Sequence, residues 1–177
     1  MDCNPELIAA AQNNTAKLGF SDRFVLHTGE LADTRFLENL RMEASPVQLV
    51  MANPPWRLVG SGRLPATEAR RKALFGDKGT FPLFASAASS LLEEDGRFAC
   101  IISPDRLQDM LAALDGVGLT PYLLQYIHKQ KTSPATFVLI EARKGAHAKP
   151  SVAEPIALYG QERFFTLESL AFCPFLR

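Results

Sequence analysis

Cysteine, net charge and long apolar runs are all scarce in this 177-residue chain. The three cysteines, Cys3, Cys100 and Cys173, are odd in number, far apart and without Cys-x-x-Cys spacing. That excludes a disulfide framework and a cysteine zinc site; no metal centre is expected, and reduced thiols point to the cytoplasm. Lysine plus arginine total 19 and aspartate plus glutamate 19, so no global field draws the chain to nucleic acid or an anionic membrane. Any nucleic-acid contact must come from a local patch. Apolar runs stop well short of the roughly 18 residues that a membrane span needs, and no signal-peptide pattern opens the chain. What is present, 47% hydrophobic and 21% charged residues, is ordinary for a soluble globular domain.

Helical and strand patterns alternate, which predicts an α/β layered sheet. Asn4 as cap and Pro5 at the first position open a predicted helix to about Lys17, with Gly19 as its stop. Residues 23–28 read as a short strand, 33–43 as a helix and 47–52 as a buried strand. Residues 57–78 form a long connection, and in a compact domain a stretch of that length is more often functional than idle. A helix over 81–93 has a small-residue face of Ala85, Ala87 and Ala88. A turn at Glu93–Gly96 leads into strand 97–103, and Pro104 starts a helix carrying Leu107, Met110, Leu111 and Leu114. Strands 120–128 and 136–142 flank a loop holding Ser133-Pro134, and beyond Gly145 the composition predicts an extended tail.

The segment Asn53-Pro54-Pro55-Trp56, set directly after the apolar run 47–52, carries the most chemistry. Two prolines fix φ and cannot donate backbone hydrogen bonds, so the turn keeps one shape and its carbonyls can face outward. An Asn amide oxygen and a fixed carbonyl can together accept both hydrogens of one planar amino group. The ring that follows can stack on a flat base or amide. A proline-terminated strand with a core tryptophan is the plainer reading of the same four residues.

These residues resemble the (Asn/Asp)-Pro-Pro-aromatic motif of S-adenosyl-L-methionine (AdoMet)-dependent methyltransferases that alkylate planar amino nitrogens. The resemblance continues along the chain in Gly60-Ser61-Gly62-Arg63, Ala69-Arg70-Arg71-Lys72-Ala73, Leu91-Leu92 and Asp95-Gly96-Arg97. It extends through Ser133-Pro134-Ala135, Val138-Leu139-Ile140-Glu141-Ala142-Arg143-Lys144-Gly145, and Tyr159 with Thr166 and Glu168. Together these are similar to the bacterial tRNA adenine-N6 methyltransferase family acting beside the anticodon of a valine tRNA. The resemblance implies a Rossmann-like seven-stranded AdoMet methyltransferase fold ending in a reversed hairpin. It also implies AdoMet as cofactor and tRNA as partner, with Asn53, Pro54, Pro55 and Trp56 as the catalytic turn. Residues 1–145 are the expected catalytic domain, and 146–177 a C-terminal extension packed on it.

The family's glycine-rich loop after the first strand has no counterpart here, so the expected fold is N-terminally truncated: it lacks the first strand, the first helix and most of the second strand. The cofactor contacts that the resemblance still implies are Asp2, at the ribose position, Glu30, at the adenine-amino position, and Asn53. Asp2 read on its own is a terminal charge, and Glu30 a charge near a helix start. With two strands absent, either residues 23–28 pair with 47–52 or an apolar edge stays open, which predicts self-association.

RNA contact is expected from 57–78, where Arg57, Arg63, Arg70, Arg71, Lys72 and Lys78 face only Glu68 and Asp77. The RNA-binding candidates are Arg63, Arg70, Arg71 and Lys72; a solvated helix face is the alternative. His128 with Lys129-Gln130-Lys131 could add phosphate contacts. A release-factor type of glutamine-N5 methyltransferase, or a fragment that binds no cofactor, are the competing functions. The first of these usually has Tyr after the prolines.

Overall fold

The computed structural model describes residues 1–44, 46–58, 60, 65–145, 149–160 and 164–173. The chain forms two compact units, Met1–Ala44 and Ser45–Arg177.

In the first unit, α1 (Pro5–Lys17) begins as its residues dictate: the Asn4 side chain accepts the Glu6 N–H at 2.9 Å and Pro5 needs no donor partner. Gly19, at φ +73°, turns the chain out of the helix. In α2 (Thr34–Ala44) the Asp33 carboxylate accepts the N–H groups of Arg35 and Phe36 at 3.0 and 3.2 Å. The strand expected at 23–28 does not form. Residues 21–23 make a 3-10 turn, 24–27 have no regular structure, and Thr28 keeps a single bridge to Asp2. A strand exists only by pairing, and Phe24 and Val25 stay exposed instead.

The second unit holds β1 (Val47–Ala52), β2 (Arg57–Leu58), α3 (Glu68–Leu74), β3 (Phe75–Gly76), α4 (Thr80–Leu91) and β4 (Leu92–Ile102). After a 3-10 turn at Pro104–Arg106 come α5 (Leu107–Asp115), β5 (Leu119–His128), β6 (Ala135–Lys144), β7 (Ser151–Val152), β8 (Ile156–Ala157) and α6 (Leu167–Phe172). The main sheet runs β1-β4-β6-β5-β7, with β8 also on β5. β1 and β4 are parallel, whereas β6 runs antiparallel to both β4 and β5, the reversed hairpin that was expected. Among the described residues this sheet has six strands, two of them only two residues long. The turn expected at Glu93–Gly96 is absorbed into β4 as a bulge with Asp95 at φ +63°.

The core lies on one face of the sheet. Phe98, Cys100 and Ile102 alternate along β4 and meet Phe81, Ala85 and Ala88 of α4 and Met110 and Leu114 of α5. Phe81 and Phe98 are almost fully enclosed, each burial stabilising by about 1.5–3 kcal/mol. The conspicuous β6 sequence is largely explained by this architecture. Ile140 and Ala142 are core, Glu141 pairs with Arg97 at 3.3 Å, and the Lys144 ammonium donates to the Ser89 and Leu92 carbonyls at the end of α4. In the tail, β7 and β8 add in parallel to β5, Tyr159 stacks on Phe165, and the Thr166 hydroxyl caps α6.

Candidate functional site

β1 carries the turn. In open α/β sheets ligands gather at the carboxyl ends of the strands, and Asn53 stands at that end of β1. Pro54 is fully buried, Pro55 and Trp56 are half-buried, and Asn53 is exposed. The Asn53 side chain makes no hydrogen bond among the described residues, so its amide oxygen is available to a ligand. It also rims an open trough of about 570 Å³, floored by Ala99, Ile101 and Leu139, on the sheet face opposite α4 and α5.

Trp56 is placed by three neighbours. Its ring meets Phe137 of β6 edge-on, with centroids 6.0 Å apart and planes at 75°. The Arg57 guanidinium lies 5.2 Å from the ring centroid. The Trp56 carbonyl accepts a hydrogen bond of 2.8 Å from the Arg106 guanidinium. Trp56 therefore packs on the core while keeping accessible surface, so the core reading and the site reading describe the same ring.

The long connection returns to the turn. β2 and β3 pair in parallel, Arg57 beside Phe75 and Leu58 beside Gly76. Gly76 is required by space: a Cβ there would lie 2.6 Å from the Pro55 carbonyl oxygen and 2.6 Å from the Thr80 hydroxyl. Between the two strands, the Thr67 hydroxyl caps α3 at the Arg70 N–H, and Arg70, Arg71 and Lys72 are exposed along that short helix. Arg63 lies outside the described residues.

Asp2 and Glu30 belong to the first unit. Asp2 donates its N–H to the His27 carbonyl and accepts from the Gly29 N–H, which sets it beside the residue preceding Glu30. One Asp2 carboxylate oxygen accepts the Asn4 N–H at 2.8 Å; Glu30 is exposed. His128 is committed to its own loop, its Nδ1 donating to the Ser133 carbonyl at 2.7 Å. Among the described residues no cluster of His, Cys, Asp and Glu could hold a metal ion, and no helix is long and apolar enough to cross a membrane. Burial pushes the Cys100 thiol up to about 12, so it is a core group and not a nucleophile.

Sequence reasoning missed Arg106 and Gly76. Both act through partners distant in the chain, and the only local signals were a Pro-Asp-Arg step after a buried strand and one glycine among many.

No family model matches the chain. It is 32% identical over 112 residues to the tRNA1(Val) (adenine(37)-N6)-methyltransferases of two Porphyromonas gingivalis strains, a match covering 62% of this chain and 42% of each relative. The chain thus spans under half the length of the curated relatives it matches. A predicted O-methyltransferase from Agrobacterium tumefaciens superposes with a TM-score of 0.72 at 18% identity, covering 98% of this chain and 73% of that one. An O-methyltransferase family 2 protein from Planctomyces limnophilus superposes at 0.50 with 16% identity, covering 81% and 41%. At these identities the likeness establishes the fold, a mixed α/β sheet of the kind found in AdoMet-dependent methyltransferases.

Proposed function

We propose that this chain is an AdoMet-dependent methyltransferase that methylates the N6 amino group of an adenine in tRNA. The observation that carries the reading is Asn53, an exposed amide without an internal partner at the carboxyl end of β1, followed by a buried proline and a held tryptophan. The 32% identity to adenine-N6 tRNA methyltransferases supports the choice of substrate.

An aromatic amino group is a weak nucleophile because its lone pair is delocalised into the ring. The Asn53 amide oxygen and the Pro54 carbonyl would accept its two hydrogens and favour a pyramidal nitrogen with a localised lone pair. Trp56 would stack on the flipped-out base, a contact worth about 1–3 kcal/mol. AdoMet supplies the electrophilic methyl group when bound. In the first unit Asp2, one of whose carboxylate oxygens accepts the Asn4 N–H, would use the other for a ribose hydroxyl, and the exposed Glu30 carboxylate would face the adenine amino group. Arg70, Arg71 and Lys72, together with Arg63, would follow RNA phosphates.

Calorimetric titration of the 177-residue chain with S-adenosylhomocysteine, followed by labelled-methyl transfer to tRNA, tests the reading. Micromolar binding and transfer to adenine N6 are expected. Asn53→Ala should lower transfer by roughly 100-fold or more while cofactor affinity holds, as for loss of one transition-state hydrogen bond. Transfer to a glutamine amide instead of RNA would reassign the substrate. Absence of cofactor binding would refute both enzyme readings.

A further inference from the structure

We infer that Arg106 is the positioning residue of the Asn53–Trp56 turn, an inference that rests on the turn being the amine-binding wall. Arg106 ends the 3-10 turn after β4, and among the described residues it is the one cation in the buried class, 3% exposed. Burying a guanidinium is unfavourable unless its donors are used, and a well-packed apolar side chain often serves stability as well or better. Arg106 uses its donors toward two elements. Nε donates to the Asp109 carboxylate at 2.7 Å within α5, while Nη1 reaches 50 residues back to the Trp56 carbonyl at 2.8 Å. The guanidinium plane is anchored over the Phe81 ring of α4, 4.4 Å from its centroid.

The geometry explains why a carbonyl there matters. The prolines fix their own φ but leave ψ of Pro55 and both dihedrals of Trp56 open. Those angles set the plane of the indole and the exit of the chain toward β2. Phe137 touches one edge of the ring, which leaves rotation about the backbone to be restrained by the carbonyl clamp. Asp109 and Phe81 hold the guanidinium from α5 and α4, so Trp56 is referenced to the same helices that form the core. A clamp of this kind fixes a stacking surface in advance, so less of its ordering has to accompany substrate binding.

Trp56 is the only tryptophan, so its fluorescence reports the turn directly. The full chain is compared with Arg106→Met, Arg106→Lys and Asp109→Asn, with Met110→Leu as a core control that leaves the turn untouched. Acrylamide quenching and fluorescence anisotropy of Trp56 are measured with no substrate present. Arg106→Met should raise the quenching constant about twofold or more and lower the anisotropy, with Arg106→Lys intermediate because an ammonium lacks the two-sided fork. Where methyl transfer is measurable, Arg106→Met should lower kcat about tenfold or more with S-adenosylhomocysteine affinity unchanged. If Arg106→Met does not fold, Arg106→Lys decides: raised quenching supports the clamp, and wild-type quenching overturns it. A Met110→Leu chain of equal stability loss that moves Trp56 as far would also overturn it, by making the effect a general loosening. A wild-type chain without methyl transfer refutes the enzymatic reading and leaves the fluorescence result standing, so the two fail separately.

Discussion

Replacing Gly76 with alanine tests whether the long connection and the proline turn are one mechanical unit. The new Cβ would meet the Pro55 carbonyl oxygen and the Thr80 hydroxyl, each at 2.6 Å, and the Thr80 Cβ at 3.0 Å. None of these can yield easily. The first is backbone, the carbonyl of the Pro55–Trp56 peptide, and the Thr80 hydroxyl is tied down twice, accepting the Asp77 N–H at 2.9 Å and donating to the Asp77 carboxylate at 3.0 Å. Overpacking of this kind costs about 1–3 kcal/mol. In a chain of this size each kcal/mol lowers Tm by roughly 2–4 °C. Displacing the Pro55 carbonyl also moves its neighbour, so Trp56 emission should shift in the folded variant. Gly79→Ala is the matched control, because a Cβ there meets only the Asp77 carboxylate, at 3.4 Å, and the backbone is already helical. That change should be neutral or stabilise by about 0.4–1 kcal/mol. Thermal and urea unfolding followed by circular dichroism, with Trp56 fluorescence in parallel, give the answer. A Gly76→Ala midpoint equal to the wild type, or equal losses in the two variants, would refute the close-packing argument.

Three further outcomes follow from the same geometry. Changing Arg70, Arg71 and Lys72 together to alanine should weaken tRNA binding and flatten its salt dependence by about 0.7–0.9 in log–log slope per lost phosphate contact; an unchanged slope makes α3 a solvated helix. Cys100, raised from 9.0 to about 12, holds its proton more tightly folded than unfolded, so its stabilising share is full below about pH 9 and is lost as pH rises toward 12. Accordingly Cys3 should react first with a thiol reagent and Cys100 only on unfolding; early labelling of Cys100 would contradict its burial. Finally, β1 pairs with a strand on one side only among the described residues, and Leu49 and Met51 are exposed. Sedimentation velocity should find self-association that Met51→Lys reduces, and a wild-type monomer at high concentration would count against an adhesive edge.

Much of the fold was legible because its signals are local. Asn4-Pro5 and Asp33 each cap a helix through an N–H two residues away, and such contacts survive in any context that permits the helix. The Thr67 and Thr166 caps of α3 and α6 went unread, in a stretch that reads as a connection and a tail that reads as extended. The period-2 burial of Phe98, Cys100 and Ile102 follows from alternation within one strand. The apolar stretch 24–27 misled for the opposite reason, since its residues suit a strand but only a neighbour can make one. The catalytic candidates were legible as residue types; their state was not. That Asn53 is exposed while Pro54 is buried depends on what packs around the turn, and the neighbours of Trp56 there, Arg106 and Phe137, lie far along the chain.

The primary structure was enough to indicate most of the alternating helices and strands, an Asn-Pro-Pro-Trp turn with two fixed φ angles and a basic connection, because each rests on torsional preference or on the character of adjacent side chains. Which strands became neighbours, why Gly76 admits no Cβ, and how Arg106 reaches the Trp56 carbonyl were set by folding. Those contacts join segments far apart in the chain, and their geometry is fixed by packing against a shared core rather than by anything written next to them.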